Sequence, residues 1–207
     1  MKKINWKILI LTSFVCVLPM ILGVAIYDKM PEQMPVHFNI NNEVDRYASK
    51  NFALFGLPII MLAMQIFACL ISDISENKKG KEPKFIAIAK WIIPVLTIVI
   101  YIITIQVALG NLLDVRKWIM LVLSVIYILI GNYMPKVSYE QMKGKMHPMP
   151  RDEKKYRKMI RKLGYTFVIF GFAMLASVFF KPAVSFVVVM SMIIVLLVES
   201  ILIYIKK

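Results

Sequence analysis

Residues Ile8 to Tyr27 read ILILTSFVCVLPMILGVAIY, twenty consecutive positions without a charge. Crossing about 30 Å of hydrocarbon takes about 20 helical residues, so this stretch is long enough to span a bilayer. The apolar core of a secretory signal runs only about 7 to 15 residues and ends at a small-residue cleavage site. The run here is longer and no such site follows, which predicts a retained first helix. Five further runs qualify, at about 52–73, 85–108, 117–134, 164–180 and 184–205, and six spans use up most of the 207 residues. A hydrophobic content of 59% and a mean hydropathy of +0.71 agree, since soluble domains are only about half apolar. The expected fold is all-α: a polytopic integral membrane protein of six transmembrane helices.

Charge orients it. With six spans, both termini share a face with the second and fourth connections. That face carries 19 of the 26 Lys and Arg: Lys2, Lys3 and Lys7, then Lys78, Lys79, Lys81 and Lys84, ten between residues 136 and 163, and Lys206 and Lys207. The other face carries Lys29, Arg46, Lys50, Arg116, Lys117 and Lys181, while Lys90 falls inside a span. Lys and Arg accumulate on the cytoplasmic side, so both termini are predicted cytoplasmic and loop 28–51 external. The same split accounts for the net charge of +14 without nucleic acid. It names the anionic inner leaflet of the bilayer as partner, and no nucleic-acid-reading fold is visible. Two regions are expected: residues 1–73, a membrane hairpin with the external loop, and residues 74–207, a four-helix membrane region with a basic cytoplasmic loop at 135–163.

The external loop, with its flanks, reads YDKMPEQMPVHFNINNEVDRYASK from Tyr27 to Lys50. Pro31 and Pro35 bias the residues before them toward extended backbone. MPVHFNI alternates as a short strand does and NNEVD suggests a turn, with Asn42 suited to a positive φ. His37, Glu43 and Asp45 lack the tight spacing of a metal site, and neither a metal nor a cofactor is expected. Asp45 is expected to cap the turn or the next helix, His37 to bond the loop backbone, and Lys50 to snorkel to the interface. A compact exposed loop also suits recognition of an external peptide.

Pro31, Pro35, Val36, His37, Asn39, Asp45, Ser49 and Lys50, followed past mid-chain by GNYMPK with Gly131, Asn132 and Pro135, form an ordered pair of motifs. They resemble the Sdp-type immunity protein family of bacterial membrane proteins. The resemblance covers an N-terminal domain of unknown function over about residues 19–73 and a degenerate C-terminal half. There GKMHPM stands where the family has a Gly-Ile-Arg-Thr-Pro-Trp box, and only Gly144 and Pro148 match. Tyr156 aligns with a family Trp, and Leu163 to Phe172 resembles the start of the family's next helix. The resemblance implies a multi-pass protein of the bacterial plasma membrane, non-catalytic, that protects against or senses a membrane-active peptide. It implies an external toxin peptide as one partner and a cytosolic repressor, held at the membrane, as another. The alternative is a small-molecule or lipid transporter, which an internal repeat with interrupted helices would favour; no clear repeat is present.

Within the spans, Lys90 and Glu199 lie about five and six residues from the cytoplasmic ends of their helices, hence ~8 to 9 Å deep. An ion pair between them is expected, with separate snorkelling as the alternative. Gln65 and Gln106 are expected to bond between helices, and Pro19, Pro58 and Pro94 to bend the first three spans and free carbonyls. Gly164, Gly171, Ala173 and Ser177 offer small packing surfaces. Cys16 and Cys69 should sit at different depths and stay unpaired. In the basic loop, Tyr156, Met159, Ile160 and Leu163 share one helical face opposite Lys154, Lys155, Lys158, Arg161 and Lys162. That pattern fits a helix lying on an anionic membrane surface or a docking platform for a cytosolic regulator.

Overall fold

The computed structural model describes residues 4–75, 84–142, 150 and 152–205. Among them, six helices are long and apolar enough to cross a membrane: Trp6–Lys29, Phe52–Asp73, Ile86–Ala108, Val115–Lys136, Glu153–Ser177 and Pro182–Ile203. The chain is a helical multi-pass membrane protein, with one two-stranded sheet among the described residues. Phe67, Ile169 and Leu197 are each more than half exposed. A surface so rich in large apolar groups suits lipid tails, whereas soluble monomers keep such patches small.

Prolines set the breaks inside the spans. The first span divides into α1 (Trp6–Val17) and α2 (Pro19–Ile26) at Pro19, which has no amide to offer. A hairpin follows, β1 (Gln33–Phe38) and β2 (Val44–Ser49). The chain then makes a π-helical turn, Phe52–Gly56, closed by the Leu57 amide on Phe52 O, before α3 (Leu57–Ser75) and its Pro58. In the third span, α4 (Lys84–Ala89) and α5 (Ile92–Ala108) part at Lys90 and Trp91, just ahead of Pro94. Then come α6 (Val115–Tyr133), the short α7 (Tyr139–Met142), α8 (Glu153–Ser177) and α9 (Pro182–Ile205).

The chain forms two compact units, residues 1–74 with 90–119, and residues 75–89 with 120–207. The unit holding the hairpin therefore also takes in α5, which the expected boundary after residue 73 excluded. Its core sits beneath the hairpin, where Met30 and Met34 pack on Ala53, Leu54, Tyr101 and Ile105. α5 comes close because Gly23 in α2 has no side chain; a Cβ there would collide with the Tyr101 hydroxyl.

In the second unit, α6 and α8 meet backbone to backbone. A Cβ on Gly131 would lie 2.5 Å from Gly164 O, and one on Gly164 would lie 2.7 Å from Gly131 O. Gly171 faces Ile128 and Ser124 O in the same way. Small residues permit this approach where lipid gives no hydrophobic drive between helices. The Ser177 and Ser185 hydroxyls, 3.0 Å apart, join α8 to α9. α8 begins at Glu153, capped by Asp152, so the fifth span is longer than expected and absorbs the amphipathic segment. The apolar face of that segment does not lie on a membrane surface. Tyr156, Met159 and Ile160 are buried against Met134, Tyr139, Leu163 and Ile203, and the Tyr156 hydroxyl donates to Val137 O at 3.2 Å.

Candidate functional site

The hairpin is held at its tip, its base and its underside. At the tip, Asn39 Oδ1 accepts from the amides of Asn41 (2.9 Å) and Glu43 (3.0 Å), and its Nδ2 donates to Glu43 Oε2 at 2.8 Å. Asn42 adopts φ 67°, the left-handed region that Asn tolerates better than most residues. That turn aims its amide at the loop before α6, where Nδ2 donates to Leu113 O and Oδ1 accepts from Val115 N, both at 2.8 Å. At the base, the Lys50 ammonium donates to Glu32 at 2.8 Å and lies 4.4 Å from the Tyr27 ring centroid. The bond to Glu32 is the main cause holding the Lys50 pKa above its ordinary 10.5, with the negative charge of Glu32 adding to it. Lys50 thus pairs locally where snorkelling was expected. The underside is Met34 and Pro35, both buried.

The strands run antiparallel with Met34 opposite Ala48, and irregularities flank His37, which faces Arg46. The shift brings His37 Nδ1 to 2.5 Å from Asp45 Oδ1, their side chains 52% and 39% exposed. His37 therefore meets a carboxylate, not loop backbone, and Asp45 orients an imidazole where a capping role was expected. Asp45, Arg46 and Tyr47 are exposed in succession along β2, and Ile40 projects from the tip, 52% exposed. The result is a fixed platform presenting an imidazole, both charges and apolar area. Of the sequence-derived residues, Pro35, Asn39 and Lys50 build it, His37 and Asp45 face outward, and Pro31 is exposed at its start. Among the described residues, no group of three or more His, Cys, Asp or Glu is placed to hold a metal ion.

At the other end of this unit, the expected Lys90–Glu199 pair is replaced by two separate pairs. Lys90 Nζ donates to Asp73 Oδ1 at 2.5 Å, with both side chains only 3% exposed. Asp73 Oδ2 also accepts the Asn5 amide at 2.9 Å, just ahead of α1. Asp73 closes the second span, where the apolar run 52–73 also ends, and the sequence reading names no partner for it. Glu199 instead meets partners of its own unit, Thr166 Oγ1 at 3.0 Å and Lys162 Nζ at 3.3 Å. Pro94 has no N–H for the carbonyl of Lys90, and Gln65 Nε2 fills that role at 2.9 Å while also donating to Thr12 Oγ1 at 2.8 Å. Gln65 thus joins α1, α3 and the break before α5. Gln106 stays local, accepting from Asn111 Nδ2 beyond its own helix. Cys16 and Cys69 form no disulfide and are buried in their spans, with Cys69 Sγ accepting from Gln65 Nε2 at 3.1 Å.

In the second motif, Gly131 and Pro135 both pack on Gly164, and Asn132 is exposed. Their place is helix packing. Gly144 and Pro148 lie outside the described residues.

Residues 14–62 match the family model described as Domain of unknown function (DUF1648). The match takes in most of the first span, the whole hairpin and the π-helical start of the second span. A search of curated proteins and of solved structures found no match.

Proposed function

We propose that this chain is a non-catalytic immunity or receptor-type protein of the bacterial plasma membrane. It protects against, or senses, a membrane-active peptide that docks on the hairpin from outside. The observation that carries this reading is the anchoring of an otherwise exposed hairpin: Asn42 pins its tip to the loop before α6, Lys50 and Glu32 close its base, and Met34 roots it in the core. A two-residue turn would join two spans with far less structure. Surface elements held this firmly, with mixed charge and apolar groups outward, fit recognition better than simple connection. An extended peptide would add beside β2 by backbone pairing, its charged and apolar side chains meeting Asp45, Arg46 and Tyr47. A cytosolic repressor would be the second partner, released or held according to the hairpin's occupancy.

The test is tolerance. Expressing the chain in a peptide-sensitive cell should raise survival, and His37→Ala, Asp45→Ala and Tyr47→Ala should each lower it at unchanged membrane abundance. Exposed pairs such as His37–Asp45 contribute only about 0.2 to 1 kcal/mol, so abundance should hold and lost protection would report recognition. Full protection by all three variants at normal abundance would overturn the hairpin as the docking site.

A further inference from the structure

A cleft of about 530 Å³ opens where the first turns of α8 meet the last turns of α9. One wall is cationic. Lys155, Lys158 and Lys162 fall at i, i+3 and i+7, so α8 presents all three along one side, and all three are exposed. The facing wall is apolar, formed by Leu163, Leu202 and Ile203. Between them Glu199 lines the cleft at 5% exposure. Its Oε1 is occupied by Thr166 and Lys162, but its Oε2 is buried and, among the described residues, has no hydrogen-bond partner. Asp152, at the rim, is engaged by the Lys154 amide as the cap of α8.

These features ask for one molecule with three parts. Three lysines call for an anion, and phosphate oxygens accept charge-assisted hydrogen bonds from them. A buried carboxylate oxygen without a partner calls for a donor, since buried polar atoms are almost always satisfied. An apolar wall at the end of two spanning helices calls for a hydrocarbon chain. We infer that this cleft binds a glycerophospholipid whose headgroup ends in a hydrogen-bond donor, its phosphate on Lys155, Lys158 and Lys162, its hydroxyl or amine on Glu199 Oε2, and its acyl chain against Leu202 and Ile203. A free phosphate offers the first contact alone. A choline headgroup has no N–H or O–H and leaves Glu199 unanswered.

The experiment is native mass spectrometry of the full chain in detergent, titrated with phosphatidylglycerol or phosphatidylcholine of identical acyl chains. One phosphatidylglycerol should be retained with an affinity at least about tenfold above phosphatidylcholine. The exposed-site variant Lys155→Gln/Lys158→Gln/Lys162→Gln should lose that retention while keeping its helical circular dichroism. Glu199→Leu should reduce the preference over phosphatidylcholine; if that variant fails to fold, the lysine variant alone decides. Equal retention of the two lipids, or unchanged retention by the lysine variant, would overturn the site. Displacement of phosphatidylglycerol by millimolar inorganic phosphate would assign the lysines to a free anion and overturn the lipid reading.

Discussion

Replacing Asp73 by Asn removes one charge from a pair whose side chains are each 3% exposed, while keeping an oxygen for the Asn5 amide. Removing one partner of a buried pair costs about 3 to 5 kcal/mol, because the other charge stays buried. Asp73→Ala also removes the acceptor for Asn5, worth about 1 kcal/mol more for a capping group. Asp73→Asn should therefore shift the unfolding equilibrium by about 150- to 5,000-fold, and Asp73→Ala somewhat further. The double variant Asp73→Asn/Lys90→Met has no buried charge at this position, and replacing such a pair by apolar groups is often close to neutral. It should recover at least half of the loss. The assay is reversible unfolding in mixed micelles, raising the fraction of sodium dodecyl sulfate and following fluorescence, with Trp91 adjacent to the site. Single-variant losses that simply add, within about 0.5 kcal/mol, would show that Lys90 and Asp73 do not interact, and the reasoning would fail.

Three further outcomes are expected. Gln65→Leu should destabilise by about 1 to 3 kcal/mol, the usual loss for an orphaned buried polar group, because Lys90 O and Thr12 lose their donor; adding Pro94→Ala restores an N–H four residues after Lys90 and should return part of it, and a double variant no better than the single would refute this role for Gln65. Gly131→Ala should cost about 1 to 3 kcal/mol through overpacking against Gly164 O, and an unchanged melting temperature in detergent would mean that α6 and α8 do not meet there. Because the pKa of Lys50 is raised in the folded state, its contribution is complete below the ordinary 10.5 and is lost as pH climbs through the raised value; protease nicking at the hairpin base should increase only above that point, and increased nicking at neutral to mildly alkaline pH would contradict the pairing.

How much of this was legible depended on the range of the interactions. Spans, proline breaks and the left-handed turn at Asn42 follow from local rules, namely hydrocarbon thickness, a missing amide and backbone sterics, so they could be read from the residues themselves. The use made of Asn42 could not, because its partners, Leu113 and Val115, lie 71 and 73 positions away. Lys90 was legible as a buried charge needing an acid, yet the acid was misjudged. Depth counting favoured Glu199 and passed over Asp73 at the end of the second span, although neighbouring antiparallel spans joined by a short connection bring Asp73 and Lys90 to the same end. The face of Tyr156, Met159 and Ile160 was read with the right period and the wrong cover. Periodicity reveals that a face is apolar and is silent on whether lipid or protein meets it; here Met134, Tyr139 and Ile203 do. His37 and Asp45 were singled out separately, and only the irregular register of the hairpin brought them together.

The charge distribution predicts that the hairpin faces outward and that the lysine-rich start of α8 faces the cytoplasm. Single cysteines at Asn41 and Lys155, both exposed, in a background with Cys16 and Cys69 replaced by Ala, measure this with a membrane-impermeant thiol reagent. In intact cells the Asn41→Cys protein should label and the Lys155→Cys protein should label only after permeabilisation. Labelling of Lys155→Cys, but not Asn41→Cys, in intact cells would place the hairpin in the cytoplasm and contradict the account.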